Sequence, residues 1–265
     1  MTIISMKNGL THPVVYSRIR KNTVNFCLIE KHPKEYAKSI IDMSAFKRLS
    51  REIMRISDLS NVGIYYKQDQ HILTQGTAMI IGPSDSIYAN CPLFFKFDFP
   101  SDYPFRPPTV TFLTNDGKTR FHPNLYTDGK VCLSILGTYS GPSWQSTMSF
   151  SMILLSLKAL LDMNPLRHEP GYENVSLDHN YAKHYSEYVH YRIVKCTLKE
   201  LQDKYYLRIF ENEIGHVLPS LKQNLQSLIQ QQASANIDDY YPYIPYGMAG
   251  RTEWKLLSSG VASPV

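Results

Sequence analysis

Cys132 follows Asn124 by eight positions in the run Phe121-His122-Pro123-Asn124-Leu125-Tyr126-Thr127-Asp128-Gly129-Lys130-Val131-Cys132-Leu133. A thiol is both a competent nucleophile and a good leaving group, although an ordinary pKa of about 8.5 leaves little thiolate at neutral pH. The amide of Asn124 adds donors and an acceptor close by in sequence. A cysteine hydrolase would use Cys132 with His122 and Asn124. Their proximity counts against it, because hydrolase triads are usually assembled from separated segments and His122 is tied into a His-Pro-Asn turn. The other cysteines, Cys27, Cys91 and Cys196, are widely spaced and form no Cys-x-x-Cys pair, which argues against a zinc site or a disulfide framework.

The elements that must position this run are legible from periodicity. Residues 1–43 mix basic, apolar and turn-forming residues and are read as an N-terminal extension. From Ser44, a candidate N-cap, Phe46, Leu49, Ile53 and Ile56 recur at helical spacing, with Lys47, Arg48, Arg51 and Arg55 mainly on another face. Four strands are expected at Gly63–Lys67, Ile72–Ile81, Leu93–Phe99 and Thr109–Thr114, separated by turn signals and a proline-rich loop, Phe99 to Pro108. An antiparallel meander is the economical topology. After the cysteine, Ser146 or Ser149 could cap a helix carrying Phe150, Ile153, Leu154, Leu157 and Leu161, ended by Asn164-Pro165. A helical region from about Asp178 to Phe210 follows, its continuity open, then a short amphipathic helix on Leu218, Leu221, Leu225 and Leu228 and a Tyr/Pro-rich tail.

Composition is that of an ordinary globular chain, 43% hydrophobic and 19% charged over 265 residues. No apolar run approaches the roughly 18 residues of a membrane span, and Met1 to Leu10 lacks the continuous apolar core of a secretory signal. A cytoplasmic or nuclear location is the expectation. Residues 1–55 hold 11 Lys/Arg against 4 Asp/Glu, leaving 17 against 19 elsewhere. With no Lys/Arg run, and with aromatics that read as sheet core, an acidic protein surface is the expected partner, not nucleic acid.

The cysteine run, the Tyr103-Pro104-Phe105-Arg106-Pro107-Pro108 loop before it and Trp144 after it together resemble the ubiquitin-conjugating (E2) enzymes. The likeness covers roughly Ser44 to Leu201 and implies the α+β UBC fold, with 202–265 as a C-terminal helical extension and tail. The long loop from Cys132 to Trp144, with Asn164-Pro165 and Glu169-Pro170-Gly171-Tyr172-Glu173, looks most like the large-E2 subgroup that includes the UBC domain of apollon. The resemblance implies that Cys132 accepts ubiquitin or a ubiquitin-like modifier as a thioester from an E1 enzyme and passes it to a substrate lysine or an E3. It assigns Asn124 to oxyanion stabilisation or loop ordering, and His122, Pro123 and Trp144 to holding the site. In the loop where many E2s carry an acidic or serine residue, this chain has His168, a candidate for proton handling, with Glu169 as the weaker alternative. Lys47, Arg48, Arg51 and Arg55 correspond to an E1-binding face. Pro104 and Phe105 correspond to an E3-binding surface whose second half, usually Pro-Ala, is here Ser146-Thr147. No metal or cofactor is implied. A non-enzymatic E2 variant is the other alternative, disfavoured because such variants lack the cysteine.

Overall fold

The computed structural model describes residues 43–235 and 237–260. The expected N-terminal extension, apart from Met43, lies outside them, as does Cys27. Helix α1, Met43–Ile56, buries Ala45, Leu49, Glu52 and Ile56 along one face, with Phe46 and Ile53 half-buried at its border. Ser44 sits inside the helical backbone and is therefore not its N-cap.

The buried acid Glu52 organises everything near it. Its Oε2 accepts from the Tyr103 hydroxyl and from the Phe150 amide at 2.9 Å, and its Oε1 accepts from Arg48 Nε. Phe150 opens helix α2, Phe150–Ala159. Ser149 stands at the N-cap position, but its hydroxyl pairs with that of Ser151 at 2.8 Å, so Glu52, from another helix, satisfies the first free amide.

The sheet is a four-stranded antiparallel meander, β1 Ile64–Gln68, β2 Gln75–Ile81, β3 Pro92–Asp98 and β4 Thr109–Phe112, in that spatial order. The second strand starts at Gln75 and not at Ile72, because the Asp69 carboxylate accepts from the His71 and Ile72 amides (2.7 and 2.8 Å) and folds that stretch into a turn. The register pairs Ala78 with Phe95 and Phe97 with Val110. These side chains meet Phe150, Ile153, Leu154 and Leu157 of α2 in the main core. There the Phe150 ring stands edge-on to Tyr66, Phe97 and Phe99 at 4.8–5.0 Å, and such pairs each contribute about 0.5–1.5 kcal/mol beyond burial.

The opposite face of the sheet is also buried. Tyr65, Met79 and Phe94 pack against Leu207, Phe210 and Ile214, with Tyr206 stacked on Phe94 at 5.2 Å. These come from a segment that follows helix α3, Asn180–Asp203. The helical region expected over 178–210 is thus broken: Lys204 adopts a left-handed conformation (φ 52°), and the Glu200 carboxylate accepts from the amides of Tyr206 and Leu207. Helix α2, in turn, ends at Ala159, ahead of Asn164-Pro165, where buried Leu160 and Leu161 turn the chain inward.

A one-turn helix α4, Glu211–Ile214, precedes α5, Leu218–Ser234, which is longer than the leucine spacing alone predicts and includes Gln230 to Gln232. The Tyr/Pro-rich stretch is strand β5, Tyr240–Ile244, paired antiparallel with β6, Met248–Arg251, and followed by α6, Trp254–Ser258. This hairpin is fastened to α3. The Tyr241 hydroxyl donates to Glu187 Oε2 at 3.0 Å, and Trp254 packs on Tyr191 and His190. Gly250 lies so close to the Tyr188 ring that a Cβ would come within 2.6 Å of it. Leu225, Ile229, Tyr241, Ile244 and Trp254 share one core with the sheet and α2, so packing continues without a break past Leu201.

Removing the acid that joins α1, the Tyr103 loop and α2 leaves a buried hydroxyl and amide without an acceptor. Glu52→Ala is expected to lower unfolding stability by roughly 3 kcal/mol, read as a shift of the urea midpoint at unchanged slope. A loss under 1 kcal/mol would show that water replaces the carboxylate freely.

Candidate active site

The run from Phe121 to Leu133 is a short irregular ribbon attached to the edge of β4. The Phe112 amide donates to the Gly129 carbonyl at 2.7 Å, and Thr111 is bridged to Lys130. The ribbon reverses at Thr127-Asp128-Gly129, where Gly129 has φ 90° and its missing Cβ would press on Thr111 and the Phe112 carbonyl. Only glycine meets both conditions. The reversal returns Cys132 to Asn124: the Cys132 amide donates to the Asn124 carbonyl at 2.9 Å, and Asn124 Nδ2 donates to the Cys132 carbonyl at 2.8 Å. The two residues are thereby locked to each other, and Cys132 is 4% exposed. Asn124 Oδ1 is buried without a hydrogen-bond partner among the described residues.

His122 is fully buried, and its Nδ1 accepts from the Asn124 amide at 3.0 Å. Nδ1 therefore carries no proton, and Nε2 is buried without a hydrogen-bond partner among the described residues. Burial, then the neighbouring His168, holds the His122 pKa well below the usual imidazole value. A neutral imidazole whose acceptor nitrogen is taken by the backbone cannot serve as base for Cys132. His168, at the end of a 3-10 turn Pro165–His168, lies 4.9 Å ring to ring from His122 and pairs through Nε2 with Asp162 Oδ2 at 2.9 Å. It is about one-third exposed. Glu169 accepts from the Tyr246 hydroxyl at 2.7 Å.

Trp144 joins the two loops of the expected E3-facing surface: its Nε1 donates to the Pro104 carbonyl at 2.6 Å. Phe105 is 76% exposed beside that junction, and Ser146 and Thr147 are exposed too. On α1, Lys47, Arg51 and Arg55 are exposed, whereas Arg48 is turned back to Glu52 and to the Met148 carbonyl at 3.2 Å. Arg48, Arg51 and Arg55 line a cavity of about 220 Å³ with Ser149 and Ser151. A larger cleft of about 390 Å³ opens between Pro107-Pro108 and the Asp128–Val131 turn, beside the nucleophile's ribbon.

Two positioning residues escape a reading by spacing. The Thr138 hydroxyl donates to the Val131 carbonyl at 2.8 Å and accepts from the Leu133 amide at 3.0 Å, bracketing Cys132 on both sides. Arg120 donates to the carbonyls of His122 and Pro123. Neither residue type suggests such a role at its place in the sequence; the contacts arise only once the ribbon is folded. Among the described residues no cluster of His, Cys, Asp or Glu could hold a metal ion, and no helix is long and apolar enough to cross a membrane.

A small α+β domain, a meander with one helix across its inner face and a cysteine ribbon locked to a His-Pro-Asn turn, defines a class of proteins. The model of the family described as "Ubiquitin-conjugating enzyme" matches residues 48–193, and the chain belongs to that family and has its UBC fold. It is similar to ubiquitin-conjugating enzyme E2 Z of Xenopus tropicalis, 38% identical over 155 residues, which are 58% of this chain and 49% of that protein. It is also similar to the human dual E2 ubiquitin-conjugating enzyme/E3 ubiquitin-protein ligase BIRC6 (apollon), 41% identical over 137 residues, 48% of this chain and 3% of that protein. A third relative, the probable ubiquitin-conjugating enzyme E2 R521 of Acanthamoeba polyphaga mimivirus, is 30% identical over 217 residues, 76% of this chain. The chain spans about half the length of the E2 Z relatives it matches.

The buried imidazoles give stability a pH dependence with a definite sign. His190 is likewise held low by burial, at about 4. Above an unfolded pKa near 6.5 both rings are neutral in both states; below it the unfolded chain takes up protons that the folded one refuses. Stability is therefore expected to fall as pH drops from 6.5 towards 4, by up to about 1.4 kcal/mol per unit for each ring. Urea unfolding at pH 7, 6 and 5 measures the slope, and His190→Leu should reduce it. An unchanged slope in that variant would mean that His190 is not buried neutral.

Proposed function

We propose that this chain is an active E2 that receives ubiquitin or a ubiquitin-like modifier from an E1 enzyme on Cys132. The Cys132 thiolate attacks the carbonyl carbon of the E1-bound thioester; the tetrahedral intermediate collapses, and the E1 thiolate leaves. In the second step an amine of a substrate, or the cysteine of an E3, attacks the new thioester. Cys132 departs as thiolate, and an attacking amine gives up a proton. The donor is already an activated thioester, so the nucleophile needs only modest help.

The observation that carries this reading is the reciprocal pairing of Cys132 and Asn124 in a chain of this family. It supports Asn124 as the residue that orders the nucleophile and, when an amine attacks, offers its amide to the reacting centre. His122, Pro123 and Trp144 keep the turn and the adjoining loops in place. His168, backed by Asp162 and reachable from solvent, is the group proposed to receive the amine's proton. The acceptor role of His122 Nδ1 towards the backbone disfavours a cysteine hydrolase.

Lys47, Arg51 and Arg55 are proposed to meet an acidic surface of E1, with Arg48 serving the fold through Glu52. Pro104, Phe105, Ser146 and Thr147 are proposed to face an E3. A cytoplasmic or nuclear location accords with such partners.

Incubation with E1, ATP and a panel of modifiers, resolved on gels with and without thiol reductant, tests the reading. A reductant-sensitive adduct is expected on the wild type, a reductant-resistant oxyester on Cys132→Ser and none on Cys132→Ala. Asn124→Ala should load yet discharge to free lysine roughly 100-fold more slowly. Adducts undiminished in Cys132→Ala would overturn the assignment. Replacing Lys47, Arg51 and Arg55 together by Glu should slow loading and weaken its salt dependence while leaving the fold intact; native loading by that variant would reduce the stripe to a solvated face.

A further inference from the structure

The tip of the C-terminal hairpin reaches the His-Pro-Asn turn. Tyr246 sits between β5 and β6 with φ 67° and ψ 26°, a left-handed conformation that a bulky residue rarely adopts, and Gly247 beside it also has positive φ. Asparagine or glycine would make this turn with less strain, so the ring itself is the feature to explain. Its centroid lies 5.0 Å from the guanidinium carbon of Arg120, which also lies 3.2 Å from the centroid of the Tyr126 ring.

Arg120 is the residue whose Nε and Nη2 donate to the carbonyls of His122 and Pro123. Its backbone is held as well: its amide donates to Met248 Sδ at 3.2 Å, and its carbonyl accepts from the Tyr185 hydroxyl at 2.7 Å. The Tyr246 hydroxyl, at the far end of the ring, is bonded to Glu169 at 2.7 Å, next to His168. One side chain thus touches both loops that present the proposed acceptor-step residues.

We infer that Tyr246 is a positioning residue for aminolysis: its ring packs, with that of Tyr126, against the Arg120 guanidinium and so holds the His-Pro-Asn turn, with Asn124, in place. Two aromatic rings beside a guanidinium limit the access of water that would compete for its donors, and hydrogen bonds strengthen where water is excluded. Without the ring, Arg120 loses one of these two aromatic neighbours and becomes more hydrated, and the turn carrying Asn124 loosens. Misplacement of a reacting group by less than an ångström lowers rate without unfolding anything. The acyl exchange with E1 depends mainly on the thiolate, so the effect falls on transfer to an amine.

This inference rests on the thioester activity proposed above, and the test separates the two. The Cys132 adduct is formed on wild type, Tyr246→Asn, Tyr246→Phe and the control Tyr243→Ala, whose side chain is on the same hairpin and 78% exposed. Single-turnover discharge is then followed over a range of free lysine concentrations. Asparagine suits the left-handed backbone, so Tyr246→Asn removes the ring without adding strain; a thermal unfolding midpoint close to that of wild type checks this. The limiting discharge rate of Tyr246→Asn is expected to fall roughly tenfold at unchanged half-saturating lysine, while loading by E1 falls much less. Tyr246→Phe, which keeps the ring over Arg120, should recover most of the rate, and Tyr243→Ala should match wild type. Discharge of Tyr246→Asn at the native rate, or a loss of the same size in Tyr246→Phe, would overturn the positioning role while leaving the E2 assignment intact. Absence of any adduct on the wild type would overturn both.

Discussion

The carboxylate of Glu52 is the interaction on which the arrangement of this domain depends. A helix, a proline-rich loop and the start of a second helix arrive at one buried point, each bringing a donor that needs an acceptor. An apolar residue at position 52 would fit the helical stripe, but it would leave a tyrosine hydroxyl and a helix-initial amide unpaired in the core. A buried acid is costly unless it is fully hydrogen-bonded, and here both oxygens are engaged. The same acid explains why Arg48 is turned inward while Lys47, Arg51 and Arg55 are exposed: the ion pair draws one cation of the stripe away from solvent.

A second constraint follows from the sheet. Four strands give two faces, and α2 with its aromatic cluster covers only one. The segment from Tyr206 to Ile214 covers the other, adding a second apolar layer on Tyr65, Met79 and Phe94. The left-handed break at Lys204 is what allows the chain to leave α3 and cross to that face. From there α5 and the hairpin join the core that α3 shares with the inner face of the sheet, so the chain after Leu201 contributes to both apolar clusters. The hairpin's contact with Arg120 is a consequence of that path.

Chemistry at the site is divided between a reactive group and a scaffold that does not titrate near neutrality. His122 is neutral and buried because it accepts from the backbone, so it fixes the turn and takes no proton. Cys132 and Asn124 bind each other through main-chain and side-chain groups, and Thr138 holds the main chain on either side of the cysteine. An ordered ribbon of this kind suits the reaction proposed above, in which the donor arrives activated and alignment counts for more than base strength.

Much of this could be read from the sequence. Period-two apolar residues at Leu93, Phe95 and Phe97 made the central strand and its inner face legible, and the helical spacing of Leu49, Ile53 and Ile56 did the same for α1, because local backbone geometry alone sets those periods. The cysteine run with its His-Pro-Asn turn carried the family resemblance. What the sequence left undetermined depends on residues distant in the chain. Glu52 reads as a surface acid until Tyr103 and Phe150 meet it; Ser149 reads as a cap until a carboxylate from another helix takes that place. The 3-10 turn Leu207–Phe210 after Lys204, the hairpin in the Tyr/Pro-rich stretch and the contact of Tyr246 with Arg120 exist only because α3 and the sheet's outer face supply surfaces for them. Local periodicity records which side of an element is apolar, but not which distant segment will cover it, and that choice belongs to tertiary packing.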